Sequence, residues 1–471
     1  MTNDAPNIVV VFTDQQNIHT LTDPDFREKL PNISRLMKSG VSFDNSICAT
    51  PQCTPSRGAF LTGLYPHKTG VVTNIGAGCK RGAENEGIDL PARFKTAGDY
   101  FTEAGYDTAY FGKWHLGGTA WGKGFDRYAT DSSRAESTEP LPHDFIQGTG
   151  DFDAIACDLS VRFLREPARR RRPFALYTSF INPHDCYLVP GVVEKGRQLY
   201  PDVDLGDVEH HELPVSYYEE AYRHPLKDAF MHEDQGTVYQ HQPEKNWKRY
   251  RAFYLHMMRG IDQLVGRILE ALEEARLLEN TLVVFTSDHG DMETAHGLIY
   301  KGPFMYRELV NVPLVVSFPG TSYEGWTSNA LVNNLDVLPT LLDFAGCNIE
   351  DQVDGRSFGD IIRNRGGRIH DFVVSEYYGK QRWVNPIRTL ITERFKYSRY
   401  LKWGEELFDL VRDPHELRNV AQDPDFERIK RDLAARLERW MHDHDDPFET
   451  LVVTDRQGRI VHAGKAAHEM R

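Results

Sequence analysis

The sequence predicts an α/β protein: a large, mixed but mostly parallel sheet sandwiched by helices, with a smaller C-terminal α+β subdomain. Three observations carry this. Short continuous apolar runs alternate with helical periodicity over residues 1–350, the pattern of strands covered on both faces. Two of those runs, Asn7 to Thr13 and Thr281 to Ser287, stop abruptly at an aspartate, Asp14 and Asp288. Beyond about Asp351 the texture changes to paired strand-like runs followed by one helical stretch, which divides the chain into a principal domain, 1–350, and a second unit, 351–471.

The elements follow in order. Asn7 to Thr13 (NIVVVFT) reads as a buried strand, and Leu30 to Ser39 as a short helix with Pro31 in its first turn. A strand around Ser42 to Cys48, a loop at Thr50 to Pro55 and a helix from Ser56 to Leu61 come next. Arg93 to Ala104 has helical spacing and a glycine stop at Gly105. Strands are expected at Asp107 to Phe111 and Phe174 to Ile181, with a helix at Phe152 to Arg165 before the latter. The stretch 187–242, rich in proline, histidine and acids, reads as an insertion that could wall a cleft. Phe253, Met257, Ile261, Leu264, Ile268 and Leu272 repeat at threes and fours within a long helix, Asn246 to Leu278. A strand at Val312 to Phe318 and a helix at Asp336 to Ala345 complete the principal domain. In the second unit, strands at Phe372 to Glu376 and Ile387 to Tyr397 precede a helix from Asp425 to His442 and a hairpin turning near Arg456-Gln457-Gly458. The basic run Arg169 to Arg172 reads as a solvated loop.

Composition narrows the function. Lys and Arg number 55 against 69 Asp and Glu, a formal charge of -14, so the overall basic footprint of a nucleic-acid binder is absent. No apolar run reaches the ~18 residues that a membrane span needs. The N-terminus enters its first strand without a signal-peptide core, so a cytoplasmic location is expected. Six scattered cysteines, Cys48, Cys53, Cys79, Cys157, Cys186 and Cys347, are not a disulfide framework.

The chemistry centres on Cys53-Thr54-Pro55-Ser56-Arg57, followed by Gly58 and Leu61-Thr62-Gly63. A cysteine just before a helix meets the positive end of the helix dipole, which favours a reactive sulfur or a nearby anion. Arg57 adds a fixed cation about one turn later. The two strand-end pairs, Asp14-Gln15 and Asp288-His289, can converge, because sites in open α/β sheets lie at the carboxyl ends of strands. Their oxygens suit a hard divalent cation, and the imidazole extends the choice toward manganese.

Taken whole, the Cys53 stretch resembles the signature of the type I sulfatases, in which the cysteine is converted to formylglycine. Gly112-Lys113-Trp114-His115-Leu116-Gly117, Asn182-Pro183-His184, Ser287-Asp288-His289-Gly290-Asp291, Lys301-Gly302 and Glu406-Leu407-Phe408-Asp409-Leu410 are similar to further family elements, in the family's order. The resemblance implies an alkaline phosphatase-like fold. It also implies one divalent metal ion, calcium before manganese or magnesium, on Asp14, Gln15, Cys53, Asp288 and His289. Arg57 and Lys113 would hold the formylglycine side chain, Lys301 and His184 would contact the sulfate and the leaving oxygen, and His115 would be the base on the hydrated aldehyde. One hydroxyl of that aldehyde would attack sulfur, and the second would let sulfate leave by elimination. A formylglycine-generating maturation enzyme is therefore an expected partner, the substrate is a small-molecule or saccharide sulfate ester, and an oligomer is possible. His296 is a further candidate pocket residue.

The commonest pattern of that family has Asp-Asp and Asp-Asn at the two pairs. Gln15 and His289 instead resemble the branch with phosphonate monoester hydrolases and choline sulfatases. Hydrolysis of a phosphonate monoester or phosphodiester is thus the alternative to hydrolysis of a sulfate ester. A non-catalytic anion-binding module would have no need of the whole residue set.

Overall fold

The protein is described by a computed structural model covering residues 5–75, 88–118, 120–130, 151–167, 172–219, 222–318, 320, 323–349, 353–380 and 382–465. Cys79, Arg169 to Arg171 and the expected boundary at 350/351 lie outside the described residues. Arg172 is exposed and pairs with Asp107 at 3.2 Å.

The principal sheet has eight strands: β1 (Asn7–Asp14), β2 (Gly40–Ile47), β3 (Asp107–Gly112), β4 (Arg127–Thr130), β5 (Phe174–Pro183), β6 (Thr281–Ser287), β7 (Leu314–Ser317) and β8 (Trp326–Asn333). Their order is β4-β3-β5-β1-β6-β7-β2-β8. All neighbours are parallel except β7, which runs antiparallel to both β6 and β2. The helices include α1 (Pro31–Lys38), α2 (Cys53–Thr62), α3 (Ala97–Glu103), α4 (Asp151–Arg165), α5 (Glu244–Glu274), α6 (Val337–Phe344) and α7 (Glu427–Asp443).

Every residue of β1 is buried, which explains its unbroken apolar sequence. Val9 and Val11 point into one core with Phe163 of α4 and Phe253 and Ile261 of α5. Ile8, Val10 and Phe12 point into the other with Phe101 of α3 and Leu338 and Leu341 of α6. The second sheet is antiparallel, β12-β11-β10-β9, built from β9 (Val373–Lys380), β10 (Trp383–Ile391), β11 (Phe395–Tyr400) and β12 (Gly404–Asp409). A terminal hairpin joins β13 (Val452–Thr454) to β14 (Ile460–Ala463) around the expected turn. Among the described residues no helix is long and apolar enough to cross a membrane.

Several elements differ from expectation for local reasons. The run Ile387 to Tyr397 is not one strand but parts of β10 and β11, because the Thr392 hydroxyl accepts the Phe395 amide (2.8 Å) and closes a turn. The helix expected from Arg93 begins only at Ala97, where Thr96 and Asp99 form a capping box. Helix α2 begins three residues early, at Cys53, and tolerates Pro55 because amides in a first turn need no helical acceptor. Strands β4, β8 and β12 were not anticipated. The insertion expected at 187–242 holds short helical pieces, including Glu194–Leu199, Val215–Tyr218 and Pro225–Glu233.

The parallel order has one decisive consequence. Strands β3, β5, β1 and β6 are consecutive and point the same way, so their carboxyl ends open onto a single edge. The chain crosses that edge tightly at Gly112, whose φ is +113° and whose added Cβ would sit 1.9 Å from the Ser179 carbonyl oxygen. Gly112→Ala is expected to cost about 2–4 kcal/mol through strain and overpacking, read as a lowered urea midpoint. Gly206→Ala, with φ +63° and open space around it, should cost only about 1–2 kcal/mol.

Candidate active site

Four strand ends deliver the polar groups: Asp14 from β1, Lys113 just after β3, His184 just after β5, and Asp288 with His289 just after β6. Helix α2 faces them with its N-terminus. Gln52, in extended backbone, precedes Cys53 at the first helical position, and all ten residues of the helix are buried. Ser56 fixes the helix to β6, since its hydroxyl donates to the Asp288 carbonyl (2.5 Å) and accepts from Asn334 (2.9 Å).

Arg57 lies between the two carboxylates. Its Nε donates to Asp288 Oδ2 (3.0 Å) and one terminal nitrogen to Asp14 Oδ2 (2.9 Å). The other terminal nitrogen binds the Lys113 carbonyl and the Ser179 hydroxyl, both at 2.8 Å. Lys113 Nζ pairs with Asp14 Oδ2 at 2.7 Å. Burial and Cys53 oppose charge on Asp14, but Lys113, His184 and Arg57 outweigh them and hold its carboxyl well below the usual range. Asp288 moves the other way, raised by burial and by Asp14.

Asp14, Cys53, Asp288 and His289 place one ligand atom each within 4.8 Å of one another, all buried. The His289 Nδ1 faces the Gly290 carbonyl at 2.8 Å, and since a carbonyl can only accept, Nδ1 carries the proton. Nε2 is thereby the nitrogen turned to the site, 3.3 Å from Cys53 Sγ, and against its burial Asp288 raises the basicity of the ring. Lys301 Nζ meets three acceptors there: Gln15 Oε1 (2.8 Å), Cys53 Sγ (2.8 Å) and His289 Nε2 (3.0 Å). Burial pushes the Cys53 thiol up, but Lys301, Lys113, His289 and a hydrogen bond with His115 bring it well below its ordinary value. A donor set of two carboxylates, an amide oxygen and an imidazole lone pair, gathered where one cation already sits, fits a hard divalent ion.

The expected residues Asp14, Gln15, Cys53, Arg57, Lys113, His115, His184, Asp288, His289 and Lys301 thus meet in one place. His115 Nε2 donates to the Ile75 carbonyl (3.1 Å), which leaves Nδ1 as the basic nitrogen of the neutral ring. His184 is hydrogen-bonded with Cys53, and burial, then Lys113, pushes it down to about 3. Arg57 and Lys113, expected at the side chain of position 53, bind the aspartates beside it, and Lys113 acts on Cys53 through its charge. His296 is not brought in: it is buried against Tyr306, ring centroids 3.9 Å apart, and its ring nitrogens find no hydrogen-bond partner among the described residues.

Other residues at the site carried no such expectation. Asp291 receives Gln15 Nε2 at 2.6 Å and the Tyr250 hydroxyl at 2.9 and 3.0 Å, which turns Gln15 Oε1 toward Lys301. In the sequence Asp291 stands inside the Ser287 to Asp291 motif with no role of its own, and Tyr250 is one aromatic of a long helix. Lys380, the last residue of β9, reaches the site from the second sheet and donates to the Lys301 carbonyl at 3.2 Å. No sequence signal marks it.

The sulfatase family profile matches residues 6–347, and that of the C-terminal region of N-sulphoglucosamine sulphohydrolase matches residues 294–443. The chain is 29% identical to a Delta 4,5-hexuronate-2-O-sulfatase of Bacteroides thetaiotaomicron, over 93% of this chain and 89% of that protein. It is 28% identical to a choline-sulfatase of Rhizobium meliloti, over 90% and 84%. Among solved structures, a 2-O GAG sulfatase superposes with a TM-score of 0.81 at 26% identity, covering 99% of this chain and 100% of the other. A phosphonate monoester hydrolase of Agrobacterium radiobacter shares the fold, with a TM-score of 0.70 at 22% identity over 98% of this chain and 100% of the other.

Replacing Arg57 by Met should strand Asp14 and Asp288 as buried carboxylates without their shared cation, a cost of about 3–5 kcal/mol. The freed carboxyls then hold protons more tightly folded than unfolded, so the penalty should be largest at pH 7 and shrink toward pH 5. Urea unfolding of chelator-treated wild type and variant at the two pH values measures both.

Proposed function

Because this chain belongs to the sulfatase family and hydrolyses sulfate esters, we propose that it does so with a formylglycine made from Cys53, a divalent cation on Asp14, Gln15, Asp288 and His289, and a sulfated saccharide as substrate. The observation that carries the reading is the buried donor set within 4.8 Å, built around Cys53 at the N-terminus of α2. Calcium, manganese and magnesium all suit an oxygen-rich set, and the one nitrogen donor keeps manganese in contention. When bound, such an ion supplies a Lewis acid that acidifies a hydroxyl and polarises an ester oxygen. Formylglycine supplies a hydrated aldehyde, whose two hydroxyls serve as nucleophile and as exit route.

The chain's own groups do the rest. The helix N-terminus, Lys301 and Lys113 form the field that lowers the Cys53 thiol, and the same field favours an oxyanion at position 53. His115, basic at Nδ1, takes the proton that must leave the side chain at position 53. His184 is held neutral by burial and by Lys113, whereas Lys301 stays among acceptors, which favours Lys301 as the donor to the departing alkoxide. Arg57 keeps the two aspartates together and leaves the sulfate to the other cations. Cys53 is 1% exposed, so a maturation enzyme has to reach it before the chain closes over it. A saccharide substrate is supported by the 29% identical relative, named for a hexuronate sulfate.

With matched leaving groups, kcat/KM for an aryl sulfate should exceed that for an aryl phosphonate monoester on the metal-loaded protein, and the reverse order would overturn the sulfate reading. Cys53→Ala should lower aryl sulfate turnover by about a thousandfold or more with an unchanged circular dichroism spectrum. Chelation should abolish turnover, and the ion that restores it identifies the metal.

A further inference from the structure

Among the described residues four cations stand around the site, and three of them have an anionic partner. Arg57 binds Asp14 and Asp288, Lys113 binds Asp14, and Lys301 binds the Cys53 sulfur. Lys380 is the exception. Its Nζ donates to Gln235 Oε1 and to the Lys301 carbonyl, both uncharged, and among the described residues no carboxylate comes within 4.0 Å of it. The nearby Asp234 is engaged by Arg456 at 3.1 Å and by the Gln235 amide at 2.7 Å.

Lys380 is half-buried rather than sealed, and its Nζ stands 6.0 Å from the centroid of the Tyr187 ring. That ring stacks on Tyr300 at 3.9 Å and leans on His184 at 5.0 Å. His184 and Lys380 thus both approach one aromatic plate, half-buried like the lysine. Burial first, and then the charge of Lys301, pushes Lys380 down to about 7, a state that a neighbouring anion would reverse.

A sulfate ester brings one negative charge, which Lys301 and the divalent ion meet. Lys380 is then surplus to a monoanionic substrate and repels the ammonium group of a zwitterionic one such as a choline sulfate. We propose that Lys380 selects substrates bearing a second anionic group beside the scissile sulfate, as in a sulfated hexuronate or a disulfated sugar. The inference rests on the sulfatase reading and adds to it a charge requirement read from the second sheet.

The test compares kcat/KM for a hexuronate 2-O-sulfate, its carboxyl methyl ester and the matching hexose 2,6-disulfate, with an aryl sulfate alongside. Wild type should prefer at least one dianionic sugar over the methyl ester by roughly tenfold or more, and the preferred one identifies the anion. Lys380→Gln should bring the ratio to near one, and Lys380→Arg, which keeps the charge, should retain it. Thermal melts check that both variants fold. Equal rates on the three sugars in wild type, or a ratio unchanged in Lys380→Gln, overturn the inference while aryl sulfate turnover leaves the sulfatase reading standing. Failure to cleave any sulfate ester overturns both.

Discussion

The structure of the site depends on one buried guanidinium. Strands β1 and β6 pair in register up to Thr13 and Ser287, so the aspartates that follow them cannot avoid each other. Two carboxylates brought together out of water would drive each other's protonation up and push the strand ends apart. Arg57 removes that conflict by giving Nε to one and a terminal nitrogen to the other. Because Arg57 stands on α2, the same contacts fix where Cys53, one turn earlier, must lie. Its remaining donors reach the Lys113 carbonyl and Ser179, so β3 and β5 are tied to the same ion. Electrostatic neutralisation and geometric alignment are here a single interaction.

That arrangement only works on a parallel sheet. In the order β3-β5-β1-β6 every strand ends on the same edge, and each contributes a polar group where its backbone stops pairing. The antiparallel β7 lies on the far side of β6, and none of its described residues belongs to the cluster. Both faces of the sheet are filled by separate cores, so the edge is the one place where these four strands can present side chains to a ligand.

What is encoded locally is legible in the sequence. The apolar runs of β1, β5 and β6, each stopping at a polar residue, are visible because a doubly covered strand has no solvent face to show. Cys53, Arg57, Lys113, His115, His184 and Lys301 were legible through motifs, since each motif packs a backbone requirement and a side chain into a few residues. Missing were features that exist only across long distances. Lys380 meets Lys301 from 79 positions away, and Tyr250 meets Asp291 from 41. Within its own neighbourhood each looks like an ordinary strand-end lysine or helix aromatic. Short strands failed for a different reason: β4 has four residues, too few for a period to register, and Thr392 breaks a pattern that hydrophobicity alone reads as continuous.

The pair Gln15 and His289 shows how the site balances its charge. With an amide at position 15, one carboxylate fewer faces the cation, but the negative charge is not lost. It stands one contact further back as Asp291, which receives the Gln15 amide nitrogen and so decides which end of that amide faces inward. The histidine works by the same logic, since its proton is fixed on Nδ1 by the Gly290 carbonyl and its lone pair is free for the site. Gln15 stands where a charged Asp is usual and His289 where a neutral Asn is usual, and each is a donor whose orientation is set by a hydrogen bond behind it. A site so built holds a cation with less negative charge of its own, which leaves its lysines more of their field for an anionic substrate.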